Sequence, residues 1–129
     1  MKTLRTPDER FADLPGYPFS PNYVEVPDGD GATLRIHYLD EGPRDAAPIL
    51  LMHGEPSWSY LYRKMIPPLV DAGHRVIAPD LVGFGRSDKP ADAARHTVMF
   101  HADVVTALVA RVDGSAVGLA GESGGGLLA

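Results

Sequence analysis

The apolar positions of this chain switch repeatedly between the two-residue period of a strand and the three-to-four-residue period of a helix. Tyr23 to Val26 is a short strand-like block, closed by the turn Pro27-Asp28-Gly29-Asp30-Gly31. Thr33 to Leu39 alternates, with Leu34, Ile36 and Tyr38 set against Arg35 and His37, and predicts a half-buried strand. The pair predicts an antiparallel hairpin at a sheet edge. Pro48-Ile49-Leu50-Leu51-Met52 is apolar throughout, as a strand buried on both faces requires. From Trp58 the spacing becomes helical: Trp58, Leu61, Tyr62, Met65, Ile66, Leu69 and Val70 share one stripe. Ser57 stands where an N-cap would, Gly73 where a helix would stop, and Pro67-Pro68 predict a kink or break between them. His74 to Ala78 predicts a strand. Val98, Ala102, Val105, Leu108, Val109 and Val112 predict a second amphipathic helix, and Ala116 to Ala120 a last strand.

A hairpin followed by strand–helix–strand–helix–strand predicts an α/β fold with a parallel sheet and helices on its faces. Ligands of such sheets sit at the carboxyl ends of the strands. Three segments leave those ends here: His53 to Ser57, Asp80 to Asp88, and Gly121 to Gly125.

Composition narrows the function classes without choosing among them. The chain has 129 residues, one domain's worth or part of a larger one. Acidic and basic residues are interspersed with a net charge of −5, so nothing argues for nucleic acid. It has no cysteine, hence no disulfide or thiolate metal site. No His/Asp/Glu set has metal-ligand spacing, and no cofactor motif is complete. Residues 1–22 carry five prolines and glycines in a polar setting and read as an extended lead-in, not a signal peptide. No stretch reaches transmembrane length, so a soluble cytoplasmic protein is expected.

Gly121-Glu122-Ser123-Gly124-Gly125, at the end of an apolar run, has the Gly-x-Ser-x-Gly form of a nucleophile elbow. An elbow needs small residues two before and two after its nucleophile because the turn is crowded, and Gly121 and Gly125 supply them. An ordinary glycine-rich strand-to-helix turn would look the same, and Glu122 offers a second, less regular register. Without Gly-Lys-Ser/Thr the segment is not a phosphate loop. In His53-Gly54-Glu55-Pro56, the backbone amide of Glu55 is placed to stabilise an oxyanion together with the amide of Gly124. His53 itself reads as a structural histidine that holds its loop by hydrogen bonds. Asp80-Leu81-Val82-Gly83-Phe84-Gly85-Arg86-Ser87-Asp88 reads as a shaped loop that positions the elbow, with Asp80 structural. Trp58 reads as core packing, and His101 as a half-buried surface histidine.

Two longer segments sharpen this. Leu50-Leu51-Met52-His53-Gly54-Glu55-Pro56-Ser57-Trp58-Ser59-Tyr60-Leu61-Tyr62-Arg63-Lys64-Met65-Ile66-Pro67 and Val76-Ile77-Ala78-Pro79-Asp80-Leu81-Val82-Gly83-Phe84-Gly85-Arg86-Ser87-Asp88-Lys89-Pro90 resemble haloalkane dehalogenases of the α/β-hydrolase superfamily. The lead-in segments Arg5 to Phe11 and Leu14 to Pro18 resemble that family's as well. The resemblance implies hydrolytic release of halide from small alkyl halides: a carboxylate displaces the halide, and a histidine-activated water opens the ester. Such enzymes normally carry Gln-Asp-Trp-Gly-Gly at the elbow, so Ser123 stands for the aspartate and Gly124 for the halide-binding tryptophan.

That exchange changes the chemistry. Seryl attack on an alkyl halide gives an ether, which has no carbonyl for water to attack, whereas seryl attack on an ester gives an acyl-enzyme that water clears. The scaffold argues for a dehalogenase relative and the serine for a carboxylesterase. In this fold the acid and the base follow the nucleophile in chain order, while His37, His53, His74, His96 and His101 all precede Ser123. The expectation is therefore a partial domain over 1–129, without the cap and C-terminal half. Alone it would be catalytically inert and poorly stable, with an open apolar sheet edge that invites pairing.

Overall fold

The computed structural model describes residues 2–112, 118–121 and 125. Strands β1 (Thr3–Leu4), β2 (Asn22–Pro27), β3 (Thr33–Glu41), β4 (Pro48–Met52), β5 (Arg75–Pro79), β6 (Lys89–Pro90) and β7 (Gly118–Gly121) alternate with helices α1 (Ile66–Asp71) and α2 (Val98–Val112). The main sheet runs β2-β3-β5-β4-β7. Its first three strands pair antiparallel, with Tyr23 opposite His37 and Leu39 opposite Ala78. β4 lies parallel to both β5 and β7, so the segments leaving these three strands emerge on one side.

The uninterrupted apolar character of β4 has the expected cause. Leu51 faces a core with Leu39, Tyr62, Ile66, Val76 and Ala78, while Leu50 and Met52 face the opposite layer with Ile77. α2 closes that second layer through Val105 and Val109, and its Val104 and Leu108 pack on Val26, Leu34 and Ile36 of the hairpin. None of the described helices is long and apolar enough to cross a membrane.

Two expectations are corrected. The stripe beginning at Trp58 is not one helix: Ser59–Tyr62 is a 3₁₀ turn, and α1 starts only at Ile66. Pro67 and Pro68 open α1 instead of kinking it, since a first turn has no use for their missing N–H groups. Gly73, at φ +94°, does end it. The lead-in, for its part, is not merely extended. It contains a 3₁₀ turn (Asp8–Phe11), and β1 pairs antiparallel with β6.

Two ion pairs brace the fold, one buried within the sheet and one holding the lead-in through a half-exposed arginine. Arg75 on β5 donates through Nε and Nη2 to Asp40 on β3 at 2.9 and 2.8 Å. Arg5 grips Asp88 in the same two-pronged way at 2.6 and 2.8 Å. Burial alone would raise both carboxyl groups, but the hydrogen bonds from their arginines outweigh it and hold each below the ordinary 3.8. Groups depressed on folding contribute stability that is complete above the unfolded value and is lost as pH falls through the folded one. The urea midpoint is therefore expected to gain nothing from these pairs between pH 7 and 5 and to fall below about pH 4. Equal midpoints at pH 5 and pH 3 would remove the two carboxylates from the balance.

Candidate active site

The three segments at the carboxyl ends of β4, β5 and β7 are bound to one another by specific contacts. His53, fully buried, accepts the Leu81 N–H at Nε2 (2.9 Å) and is 2.9 Å from the Gly54 carbonyl through Nδ1. A backbone N–H can only donate, so Nε2 holds the lone pair and Nδ1 carries the proton. The ring thus clamps the β4 segment to the β5 segment, as a structural histidine would, and Phe84 packs edge-on against it with ring centroids 5.4 Å apart.

The β5 segment is organised by Asp80, which is sealed from solvent. Its Oδ1 accepts the Ser59 N–H at 2.7 Å, and its Oδ2 accepts the Arg86 N–H at 2.9 Å and lies 2.8 Å from His37 Nδ1. Burial opposes the charge, but the His37 hydrogen bond and field, with the two backbone donors, hold the carboxyl below its ordinary range. Ser87 completes the knot, donating to the Asp80 carbonyl at 2.6 Å and accepting the His37 N–H at 2.9 Å. Gly85, at φ +51°, must lack a side chain: a Cβ there would stand 2.5 Å from Asp80 Oδ2.

The elbow meets β4 through Gly125. A Cβ on that buried glycine would lie 2.5 Å from the His53 carbonyl oxygen and closer still to that of Met52. The smallness of the residue two after Ser123 thus has a visible cause. Ser123 and Gly124 lie outside the described residues, as does Glu122. Glu55 is exposed, directly after His53 and Gly54.

The remaining histidines sit in different settings. His37 is locked on Asp80, and His74 is exposed beside Gly73. His96 contacts the Pro90 carbonyl at 3.0 Å and stacks near His101 at 5.6 Å, whose half-burial lowers its pKa. Among the described residues no group of three or more His, Cys, Asp or Glu converges as a metal site.

Trp58, read as core packing, is half-buried against the core cluster, and besides Tyr60 its ring partners come from the lead-in. Phe11 and Tyr17 both approach it at 5.3 Å. Tyr17 also reaches Ser59 (2.6 Å between oxygens), and Tyr60 donates to the Pro15 carbonyl at 2.6 Å. This N-terminal strap was invisible in the sequence, because its partners lie more than forty residues away in the chain.

Comparison with known proteins agrees with this geometry. The chain is 58% identical over 128 residues to a haloalkane dehalogenase of Psychrobacter cryohalolentis, covering 99% of this chain and 42% of that protein. A tetrameric haloalkane dehalogenase from Paraglaciecola agarilytica superposes with a TM-score of 0.84 at 51% identity, over 92% of this chain and 40% of that one. Epoxide hydrolase A from Mycobacterium thermoresistibile is more distant, at 28% identity and a TM-score of 0.71 over 84% of this chain and 33% of its own. The chain therefore spans about two-fifths of the length of the haloalkane dehalogenases it matches. Residues 47–129, from the start of β4 through the elbow, match the family model of the alpha/beta hydrolase fold, and the chain belongs to that family.

Proposed function

We propose that this chain is the N-terminal part of a hydrolase of the haloalkane dehalogenase type, working on small molecules in the cytoplasm. A cap, an acid and a catalytic histidine would come from the rest of the whole protein. Ser123 holds the nucleophile position, and the backbone amides of Glu55 and Gly124 form the hole for developing negative charge. The observation that carries this reading is the convergence of the segments after β4, β5 and β7, joined by the His53–Leu81 hydrogen bond and the packing of Gly125 on β4. The high identity to haloalkane dehalogenases supports alkyl halides as the substrate class.

Ser123 itself favours a second reading, ester hydrolysis on the same scaffold, because only an acyl-enzyme offers water a carbonyl. A third possibility, a non-catalytic fragment, predicts no turnover of either substrate. The deciding experiment compares halide release from a bromoalkane with hydrolysis of a nitrophenyl ester by the whole protein and its Ser123→Asp variant. On the dehalogenase reading the parent sustains halide release; if the ether argument governs, it releases at most one halide per chain and only Ser123→Asp sustains release. Repeated halide turnover by the parent would overturn the ether argument, and ester turnover by the parent would decide for the esterase.

A further inference from the structure

The Glu55 amide proposed above for the oxyanion or halide hole belongs to the Gly54–Glu55 peptide unit. In a planar trans peptide the carbonyl and the N–H point in opposite directions, so holding one aims the other. The Gly54 carbonyl is held twice: by His53 Nδ1–H and by the Ser57 N–H, both at 2.9 Å. His53 in turn is held by the Leu81 N–H, and Leu81 directly follows Asp80.

Asp80 is the point at which the N-terminal strap enters. Ser59, whose N–H donates to Asp80 Oδ1, shares a buried hydroxyl–hydroxyl contact with Tyr17. Tyr17 is the strap residue buried in the core cluster with Leu51, Tyr62 and Ile66. Burial, and then the nearby Asp80 charge, raises the phenol's pKa, so it keeps its proton and remains able to donate. Arg86, a second donor to Asp80, lies with its guanidinium 4.9 Å from the ring of Phe11 in the same strap.

We infer that Tyr17 is a positioning residue, acting through Ser59, Asp80, Leu81 and His53 to aim the Glu55 N–H into the hole. This inference rests on the proposed role of the Glu55 amide. It gives the lead-in a part in the reaction that its sequence would not imply. The relay's four hydrogen bonds are 2.6–2.9 Å long and join buried groups, where alternative partners are scarce, and the Asp80–Leu81 step is their peptide bond.

The test uses two variants of the whole protein that remove one phenolic oxygen each. Tyr17→Phe breaks the relay at its head. Tyr60→Phe removes the exposed strap bond to Pro15, which has no link to Asp80. For Tyr17→Phe, kcat is expected to fall about ten-fold with KM within about two-fold, the signature of an interaction made in the transition state. Hydrogen exchange at the Leu81 amide should accelerate about ten-fold. Tyr60→Phe should leave both unchanged. Equal effects of the two variants on kcat, or unaltered Leu81 exchange in Tyr17→Phe, would overturn the relay. Altered Leu81 exchange together with an unchanged kcat would uphold the relay as a contact but overturn its role in aiming the Glu55 N–H. If the parent turns over neither substrate, the functional reading fails, while the exchange measurement still decides whether the relay exists.

Discussion

Asp80→Ala is expected to cost roughly 3–5 kcal/mol of folding stability, because it strips the acceptor from several buried donors at once. The reason is local and countable by name. Ser59 N–H, Arg86 N–H and His37 Nδ1 all face this carboxylate inside a sealed site, and alanine would leave them without an acceptor. An unsatisfied buried donor costs about 1–3 kcal/mol, so the three together are enough to threaten a fold of ordinary stability. Asp80→Asn separates charge from hydrogen bonding. Its amide oxygen can take the Oδ2 position and keep His37 and Arg86, but its NH₂ must then face the Ser59 N–H. A smaller loss is expected, about 2 kcal/mol for one donor–donor conflict. Urea unfolding of the two variants beside the parent measures both. An alanine variant within about 1 kcal/mol of the parent would show that the network contributes little.

Asp80 also illustrates which parts of the molecule are legible in its sequence. Its place after a buried apolar strand marks it as loop-forming and structural, and the loop's shape follows from Gly83 and Gly85. Its partners are another matter: His37 and Ser59 lie 43 and 21 positions away and belong to different elements. Periodicity reports how a segment meets a generic apolar layer, so β3, β4, β5 and α2 emerge from it with small errors at their ends. It fails from Trp58 to Tyr62, where Trp58 packs against Phe11 and Tyr17 of the strap, Leu61 is exposed and Tyr62 turns into the core, so the three do not share a helical face. Arg5 and Asp88, 83 positions apart, carry no local sign of each other. At the site, the elbow motif and the His-Gly segment are visible because their chemistry dictates local residue types. The His53–Leu81 clamp, which joins the His-Gly segment to the β5 loop, is a tertiary fact.

Gly125→Ala is expected to cripple the site more than any other single-methyl change. The added carbon would fall 2.5 Å from the His53 carbonyl oxygen, nearer still to that of Met52, and 2.7 Å from the Met52 carbonyl carbon. These are backbone atoms of β4 and its exit, and Met52's carbonyl is also fixed by the Tyr62 hydroxyl at 2.7 Å. They cannot swing aside as a flexible side chain would, so the elbow must lift. Overpacking of this kind costs about 1–3 kcal/mol. The larger effect falls on catalysis, since displacing a reacting group by about 1 Å can lower the rate about 100-fold. Gly118→Ala on β7 supplies the contrast, because a Cβ there meets only Ile49 Cγ1 at an ordinary 3.7 Å. It adds the same methyl to the strand that leads into the elbow and should leave rate and stability near the parent's. In the whole protein, kcat on whichever substrate the parent turns over, with the urea midpoint, reads both variants. If Gly125→Ala retained full activity, the elbow would not be seated on β4, and the convergence of the three strand ends would lose one of its two fastenings.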